Sequence, residues 1–330
     1  MALRTALTEM FGIDHPVVLA PMGSVAGGAL AAAVSEGGGL GLIGAGRGDL
    51  AWLDRECGLA RAATSKPWGI GFLTWAIGPR AVEAAIKQSP AALMLSFGDP
   101  APFADTIRAA GIPLMVQVTT MDEARRALDV GANIVVAQGS EAGGHGGGRA
   151  TLPFVPAVVD IAGATPVLAA GGIADGRGLA AALMLGAAGA MIGTRFEATH
   201  EALLDAYETK AITAARASDT VRGRVLDIAT HAGWPPRYPA RTLRNKFTDA
   251  WEGKESELES DQGALAEFRA AADRGDRDYL PIWAGEAVDL VTEMDSASAL
   301  VTRIAEQAEA TITGTGNTVC APRVGHRHER

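Results

Sequence analysis

Apolar and polar positions along the chain form two kinds of segment. Short runs rich in Val, Ile and Leu, bounded by Gly or Pro, are typical of buried parallel strands. Eight such runs come in chain order: PVVLAPM (from Pro16), LGLIGAG (Leu40), WGIGFLTW (Trp68), AALMLSFG (Ala91), IPLMVQVT (Ile112), NIVVAQG (Asn133), PVLAAGGI (Pro166) and GAMIGTRF (Gly189).

Longer Ala-rich runs with helical spacing lie between these strands and predict helices. They are GGALAAAVSEGG (from Gly27), DLAWLDRECGLARAA (Asp49), PRAVEAAIKQ (Pro79), PFADTIRAAG (Pro102), MDEARRALDVG (Met121), LPFVPAVVDIAG (Leu152), DGRGLAAALMLGA (Asp175) and HEALLDAYETKAITAA (His200). Eight strand–helix units before Ala215 predict an α/β fold of the (β/α)8 TIM-barrel type. An open doubly wound sheet uses the same units, but no G-x-G-x-x-G follows the first strand, so the barrel is favoured.

The pattern changes after Ala215. Residues 218–277 are mostly polar and include GWPPRYP, while GEAVDLVTEMDSASALVTRIAEQAEATI near the end predicts one or two further helices. We therefore expect a barrel core over residues 1–217 and a mainly helical elaboration near the barrel mouth over residues 218–318. Residues 319–330 are expected to be a disordered tail, with His326 and His328 solvated rather than metal-binding.

Composition narrows the class of protein. The 330 residues are 48% hydrophobic and 20% charged, with a net charge of −9, which is typical of a globular protein and disfavours nucleic-acid or anionic-membrane partners. The chain contains no segment like a membrane span or signal peptide, so a soluble cytoplasmic protein is expected. Cys57 and Cys320 are far apart and indicate neither a disulfide framework nor a metal site.

In a TIM barrel, function gathers at the carboxyl ends of the strands. The seventh and eighth predicted strands end in Gly171-Gly172-Ile173 and Gly193-Thr194, which expose backbone N–H groups without bulky side chains. The sequence ADGRG then opens a helix, and helix N-termini favour anions. These ends predict a site for a phosphate-bearing cofactor.

The sixth predicted strand ends in the glycine-rich stretch AQGSEAGGHGGG, from Ala137 to Gly148. Such a backbone can wrap a flat ligand, and His145 within it suits proton transfer or an anion contact. We favour a catalytic imidazole over a fixed loop contact. Glu141 is the rival base, although its place near the strand end better suits a buried hydrogen-bonding role.

Amide side chains at two neighbouring strand ends also fit a flavin. Gln117 and Gln138 both donate and accept, as the edge of a flavin ring requires, yet they equally suit pairing within the barrel core. The first strand ends in Pro21, Met22 and Gly23. A methionine there suits the face of a ring and suits core packing just as well.

Four motifs, in this order, give the chain a recognisable resemblance. They are APMGSVAGGALAAAVSEGGGLGLIGAG, AQGSEAGGHGG, PVLAAGGIADGRGLAAALMLGAAGAMIGTRF and WPPRYPARTLRNKF. In these motifs the chain resembles the nitronate monooxygenases, formerly 2-nitropropane dioxygenases, which are FMN-dependent TIM barrels. The resemblance implies that His145 is catalytic. It also implies FMN-binding residues, namely Gly171, Gly172, Gly193 and Thr194 at the phosphate and Pro21, Met22, Gln138 and Gly139 at the flavin.

The resemblance implies oxidation of alkyl nitronates by O2 to a carbonyl compound and nitrite. Many relatives carry a lysine near the flavin on the fifth strand, where this chain has Gln117, so a positive charge is missing there. The alternative is an NAD(P)H-dependent FMN reductase acting on an enoyl-acyl carrier protein or a quinone, since such enzymes share the EAGGH pattern. A non-catalytic flavin-binding protein would require His145 to be incidental, and it is disfavoured.

Overall fold

The computed structural model describes residues 3–314 of the chain. Its central sheet has eight parallel strands in the order β1-β9-β8-β6-β5-β4-β3-β2. These are β1 (Val17–Leu19), β2 (Gly41–Gly46), β3 (Trp68–Leu73), β4 (Leu93–Ser96), β5 (Leu114–Val118), β6 (Ile134–Gln138), β8 (Val167–Ala170) and β9 (Gly189–Ile192). Strand β7 (Gly144–His145) lies between β6 and β8 in the chain and belongs to a second sheet.

The first sheet closes on itself. Leu19 N donates to Leu40 O at 2.9 Å and Leu40 N donates to Val17 O at 2.9 Å, which joins β1 to the start of β2. Every one of the eight predicted strands is therefore present, and the predicted TIM barrel is confirmed.

Side chains of the barrel strands alternate between two cores, as the period of two residues in a strand requires. One cluster contains the side chains that point into the barrel, including Val18, Leu42, Met94, Met115, Val136, Leu168 and Met191. The other contains the side chains that face the helices, including Val17, Ile43, Ile70, Leu95, Val116, Val135, Ala169 and Ile192. Because both faces are buried, the strands appear in the sequence as continuous apolar runs.

Helices surround the barrel and cover its mouth. In chain order they are α1 (Ala6–Phe11), α2 (Gly28–Glu36), α3 (Leu50–Ala63), α4 (Pro79–Lys87), α5 (Ala101–Ala109), α6 (Met121–Asp129), α7 (Thr151–Ala162), α8 (Gly176–Met184), α9 (Thr194–Glu197), α10 (Ala206–Ala214), α11 (Val225–Ala229), α12 (Lys246–Trp251), α13 (Glu255–Leu258), α14 (Gln262–Asp273) and α15 (Ala297–Thr313). Short 3-10 helices span Thr74–Ala76, Ala217–Asp219 and Glu286–Leu290.

The outer ring is completed by a different helix from the one expected. The segment after the eighth barrel strand forms α9 and α10, and α10 buries only Ile212. Helix α15 instead packs between α8 and α2 and contributes Leu300, Val301 and Ile304 to the core between helices and barrel. Helix α15 therefore completes the ring of helices around the barrel. The division of the chain at residue 217 stays a prediction.

Residues 217–290, which we call the cap, pack over the barrel mouth. A small antiparallel sheet in the cap consists of β10 (Thr220–Gly223) and β11 (Ala240–Leu243), and β11 pairs with β7 from the barrel side. Helices α11 to α14 enclose a separate apolar cluster. That cluster is built around Val225, Leu226, Phe247, Leu258, Leu265 and Phe268. The cap is thus attached to the barrel through the strand that carries His145.

Two further observations concern residues singled out in the sequence. Cys57 is buried in α3, where burial raises the pKa of its thiol to about 12. The predicted tail 319–330, with Cys320, His326 and His328, lies outside the described residues. Within residues 3–314, no helix has the length and apolar character needed to cross a membrane.

Candidate active site

A cavity that is open to solvent lies at the carboxyl ends of the barrel strands. Eleven of the site residues predicted from the sequence line it. They are Pro21, Met22, Gly23, Gln117, Gln138, His145, Gly171, Gly172, Ile173, Gly193 and Thr194. The structure therefore brings these residues together at one place, as a barrel predicts.

Gly139 is the predicted site residue that lies outside the cavity wall. A Cβ atom at this position would approach Thr151 Oγ1 to 1.9 Å and Glu141 Oε2 to 2.6 Å. Its N–H donates to Ala170 O at 2.8 Å. Close packing between β6 and the start of α7 therefore accounts for this glycine without a ligand.

The glycines at the seventh and eighth barrel strand ends form a cradle with little side-chain bulk. Gly171 and Gly172 have φ values of +100° and +74°, a conformation that L side chains rarely adopt. A Cβ at Gly193 would lie 3.3 Å from Met22 Sδ. We call Gly171–Ile173 together with Gly193 and Thr194 the phosphate cradle, after its predicted ligand.

The N-terminus of α8 does not contribute to this cradle, contrary to the prediction from ADGRG. The Asp175 carboxylate accepts from Arg177 N at 3.0 Å and from Gly178 N at 3.2 Å. Gly176 N donates to Gln307 Oε1 at 3.2 Å. The first-turn N–H groups that would have bound an anion are thus already paired.

The two glutamines present unpaired polar atoms to the cavity. Gln138 Nε2 donates to the backbone oxygen of His145 at 3.0 Å. Gln138 Oε1 and Gln117 Nε2 are buried without a hydrogen-bond partner among the described residues. Leaving such an atom unpaired costs roughly 1–3 kcal/mol. One acceptor and one donor are therefore available to a ligand that has both kinds of atom on its edge, as a flavin ring does.

His145 is held by residues of the cap. It lies in β7, opposite Ala240 of β11, and its side chain is 8% exposed. The imidazole Nε2 lies 2.9 Å from Oδ1 of Asp227 in α11. This contact fixes the ring and, with Asp227 as acceptor, places the N–H on Nε2.

Burial and charge act in opposite directions on His145. Burial is the largest influence and lowers the pKa of the imidazole below 6.5. The hydrogen bond to Asp227 and its charge raise that pKa, while the positive charges of Arg222 and Arg47 lower it. Burial prevails, so the ring is neutral at neutral pH and can accept a proton.

Aromatic side chains enclose the imidazole. The Trp234 ring stacks on it with centroids 3.4 Å apart and planes 8° apart, and the Trp283 centroid lies at 5.4 Å. Trp234 also contacts Trp75 and Phe97, both with centroids at 5.2 Å. The cap thus covers one face of the ring and keeps water away from it.

Arg222 of β10 anchors the glycine-rich stretch to the cap. Its Nη2 donates to the backbone oxygens of Ser140 at 2.9 Å and Ala142 at 2.8 Å, and Nη1 donates to Pro239 O at 2.6 Å. Burial lowers the pKa of this guanidinium to about 10, so it stays charged at neutral pH. A half-buried cation therefore fixes the backbone that leads to His145.

Glu141 has the hydrogen-bonding role that its position suggested. Its carboxylate accepts from Thr151 N at 2.9 and 3.0 Å and from Thr151 Oγ1 at 2.8 Å. This pairing ties the glycine-rich stretch to the start of α7. It makes Glu141 a weaker candidate for a base than His145.

Sequence reasoning missed the residues that surround His145. Asp227, Arg222, Trp234 and Trp283 all lie in the cap, and Asp227 is separated from His145 by 82 positions. No short-range spacing relates the two. The sign of them in the sequence is the aromatic, proline-rich motif WPPRYPARTLRNKF, which holds Trp234.

Comparison with known proteins gives a consistent family. The family model described as nitronate monooxygenase matches residues 4–77 and 75–307. The chain is 36% identical to nitronate monooxygenase npaC of Metarhizium robertsii, over 90% of this chain and 92% of that protein. It is also 37% identical to the (3aS,4S,5R,7aS)-5-hydroxy-7a-methyl-1-oxo-octahydro-1H-indene-4-carboxyl-CoA dehydrogenase of Mycobacterium tuberculosis, over 76% of this chain and 69% of that protein.

The dehydrogenase of the same name from Rhodococcus jostii is 36% identical, and the chain spans 65% of its length. Among solved structures, FabK from Thermotoga maritima superposes with a TM-score of 0.83 at 30% identity, covering 94% of this chain and 98% of that chain. A nitroalkane oxidase from Streptomyces ansochromogenes has a TM-score of 0.76 at 29% identity, covering 94% of this chain and 100% of that chain.

Proposed function

The chain belongs to the nitronate monooxygenase family, and on this premise we propose that it oxidises alkyl nitronates with dioxygen to a carbonyl compound and nitrite, with FMN as its cofactor. The reaction balances when two nitronate anions and one dioxygen molecule give two carbonyl compounds and two nitrite ions. Family membership makes the protein an oxidoreductase and implies a flavin. What we propose beyond family membership is the oxidation of nitronates and FMN as the particular flavin.

The cavity has groups that fit such a cofactor. Pro21, Met22 and Gly23 would lie against the ring, and Gln117 Nε2 and Gln138 Oε1 would pair with its polar edge. The phosphate cradle would hold the phosphate through backbone N–H groups. When bound, a flavin supplies electron acceptance and reactivity toward dioxygen.

His145 would act on the proton of the substrate. With Nε2–H donated to Asp227, Nδ1 carries the lone pair that can accept the α-proton of a neutral nitroalkane. Asp227 then stabilises the imidazolium that forms, and Trp234 keeps water away from it. A nitronate has already lost this proton, so His145 would contribute less to its oxidation.

One observation carries the proposal: a neutral, oriented imidazole lines the same cavity as two unpaired amide atoms. That combination fits a flavin beside a proton acceptor. It also agrees with the nitroalkane oxidase among the superposable structures.

The test is anaerobic mixing of the purified protein with nitronates, neutral nitroalkanes, NADH and NADPH, while the flavin absorbance is followed. We expect nitronates to reduce the flavin rapidly, nitrite to form once oxygen is admitted, and the released cofactor to have the mass of FMN. The absence of flavin reduction by every nitronate tested would contradict the proposed reaction.

A second candidate is an NAD(P)H-dependent reductase on the same barrel. The superposition on FabK, an enoyl reductase, favours it, with a TM-score of 0.83 against 0.76 for the nitroalkane oxidase. The two carboxyl-CoA dehydrogenases are as similar in sequence as npaC and point to thioester substrates. Fast reduction by NADH or NADPH, with no response to nitronates, would establish this alternative.

A further inference from the structure

Glu197 is a carboxyl group in the cavity wall that none of the steps above uses. It is the last residue of α9 and is 4% exposed. Its Oε2 is buried without a hydrogen-bond partner among the described residues. A buried oxygen that lines a cavity and lacks a partner indicates a ligand, because leaving it unpaired is costly.

The position of Glu197 in α9 relates it to the phosphate cradle. Thr194, a cradle residue, lies three positions earlier, and residues three apart in a helix share one face. Both side chains line the same cavity. The Thr194 hydroxyl accepts from Gly285 N at 3.0 Å, which fixes the start of the helix. Glu197 is therefore one turn away from the group that would hold the phosphate.

The surroundings of Glu197 favour the neutral form of its carboxyl. Burial raises the pKa of its carboxyl well above the ordinary value, and the negative charge of Glu208 in α10 raises it further. A neutral carboxyl has an O–H group to donate, whereas an ionised one would repel a phosphate.

Charged groups on the neighbouring elements are engaged with other partners. Arg195 of the same helix donates to the backbone oxygens of Ala198 and Glu293. In the adjoining 3-10 helix, Glu286 pairs with Arg241 at 2.6 Å and Asp289 accepts from Ala217 N at 3.2 Å. None of these interactions is with the Glu197 carboxyl.

We propose that Glu197 is a cofactor-binding residue whose carboxyl O–H donates a hydrogen bond to a phosphate oxygen of bound FMN. A hydrogen bond from a neutral acid to an anionic oxygen is short and strong. It would supplement the backbone N–H groups of the cradle. The inference rests on FMN as the proposed cofactor, and its test measures binding rather than turnover.

The full chain, stripped of flavin, is titrated at about pH 6 with FMN and with riboflavin, which lacks the phosphate. Glu197→Leu keeps the size of the side chain and removes the donor, while Glu197→Gln keeps a neutral donor. We expect Glu197→Leu to weaken FMN binding roughly 10- to 100-fold, the loss of one hydrogen bond to a charged group. Riboflavin binding should be almost unchanged, and Glu197→Gln should bind FMN nearly as the wild type does.

A second arm varies the pH and remains informative if Glu197→Leu does not fold. As the pH rises through the raised pKa of the Glu197 carboxyl, the wild type should lose FMN affinity relative to Glu197→Gln, because only the wild type gains a negative charge beside the phosphate. The phosphate of FMN titrates equally in both proteins, so their difference isolates Glu197.

Three outcomes would overturn the inference. They are wild-type FMN affinity in a folded Glu197→Leu variant, equal losses for FMN and riboflavin, and parallel pH profiles for the wild type and Glu197→Gln. An enzyme that binds FMN in this way but does not oxidise nitronates would refute the proposed reaction and leave this inference standing.

Discussion

The strand ends of the barrel and the cap contribute different things to one cavity. The barrel wall is made mainly of glycines, apolar residues and two amides, with the carboxyl groups of Glu141 and Glu197 among its polar members, and it leaves room for a ligand. The cap brings the charged groups that act on His145: Asp227 reaches its imidazole, and Arg222 fixes the backbone that leads to it. The difference shows that the barrel provides the space for a cofactor, whereas the cap orients the imidazole and shifts its pKa.

Replacing the imidazole should separate these contributions most sharply. In His145→Ala the barrel wall is intact, so bound flavin should be retained. Turnover of neutral nitroalkanes should fall roughly 10²- to 10⁴-fold, the usual loss when a general base is removed. Oxidation of preformed nitronates should fall much less, since they have no α-proton to give up. Steady-state rates on both substrate forms, at matched flavin content, provide the measurement.

The matched control is Glu141→Gln, which alters the other candidate base. Because Glu141 is engaged by Thr151, we expect this variant to retain most of the turnover of neutral nitroalkanes. A wild-type rate in His145→Ala, together with a collapse in Glu141→Gln, would reverse the assignment. Equal large losses on both substrate forms in His145→Ala would make His145 an anion-binding residue instead.

Removing the contact by which Arg222 joins the cap to the barrel should lower the free energy of unfolding. Arg222→Met removes the donor of Ala142 O and one of the two donors of Ser140 O and of Pro239 O, all half-buried, and should lower the free energy of unfolding by roughly 1–3 kcal/mol. Arg224→Met is the matched control. Arg224 pairs with Glu259 at the surface, and such pairs contribute about 0–1 kcal/mol. Thermal or denaturant unfolding of both variants compares them, and equal losses would refute the anchoring role of Arg222.

The barrel could be predicted from the sequence because its strands are buried on both faces. That burial makes each strand a continuous apolar run, and the rule that function gathers at strand ends then locates Gly172, Gly193 and His145 together. The same reasoning correctly preferred a hydrogen-bonding role for Glu141. These inferences depend only on local pattern and on the regularity of the fold.

The remaining features depend on contacts between distant parts of the chain. Asp227 lies in a polar segment whose spacing gives no indication of His145, and α15 completes the barrel from the far end of the sequence. At the N-terminus of α8 the sequence predicts an anion site that the structure does not support. Its motif favours an anion, but Asp175 within that motif already binds the N–H groups. Local propensity cannot tell whether a donor is already paired.

The most direct test of the claim that the cap shifts the pKa of His145 is an NMR titration of the imidazole in the wild type and in Asp227→Asn. The resonance is identified among the six histidines by its absence in His145→Ala. Since burial lowers this pKa and Asp227 raises it, the wild-type value should lie below 6.5 and the variant value lower still. The acid limb of kcat/KM for a neutral nitroalkane should move to lower pH in parallel, because activity requires the neutral ring. A wild-type pKa above 6.5, or a pKa that stays the same or rises in Asp227→Asn, would contradict the account.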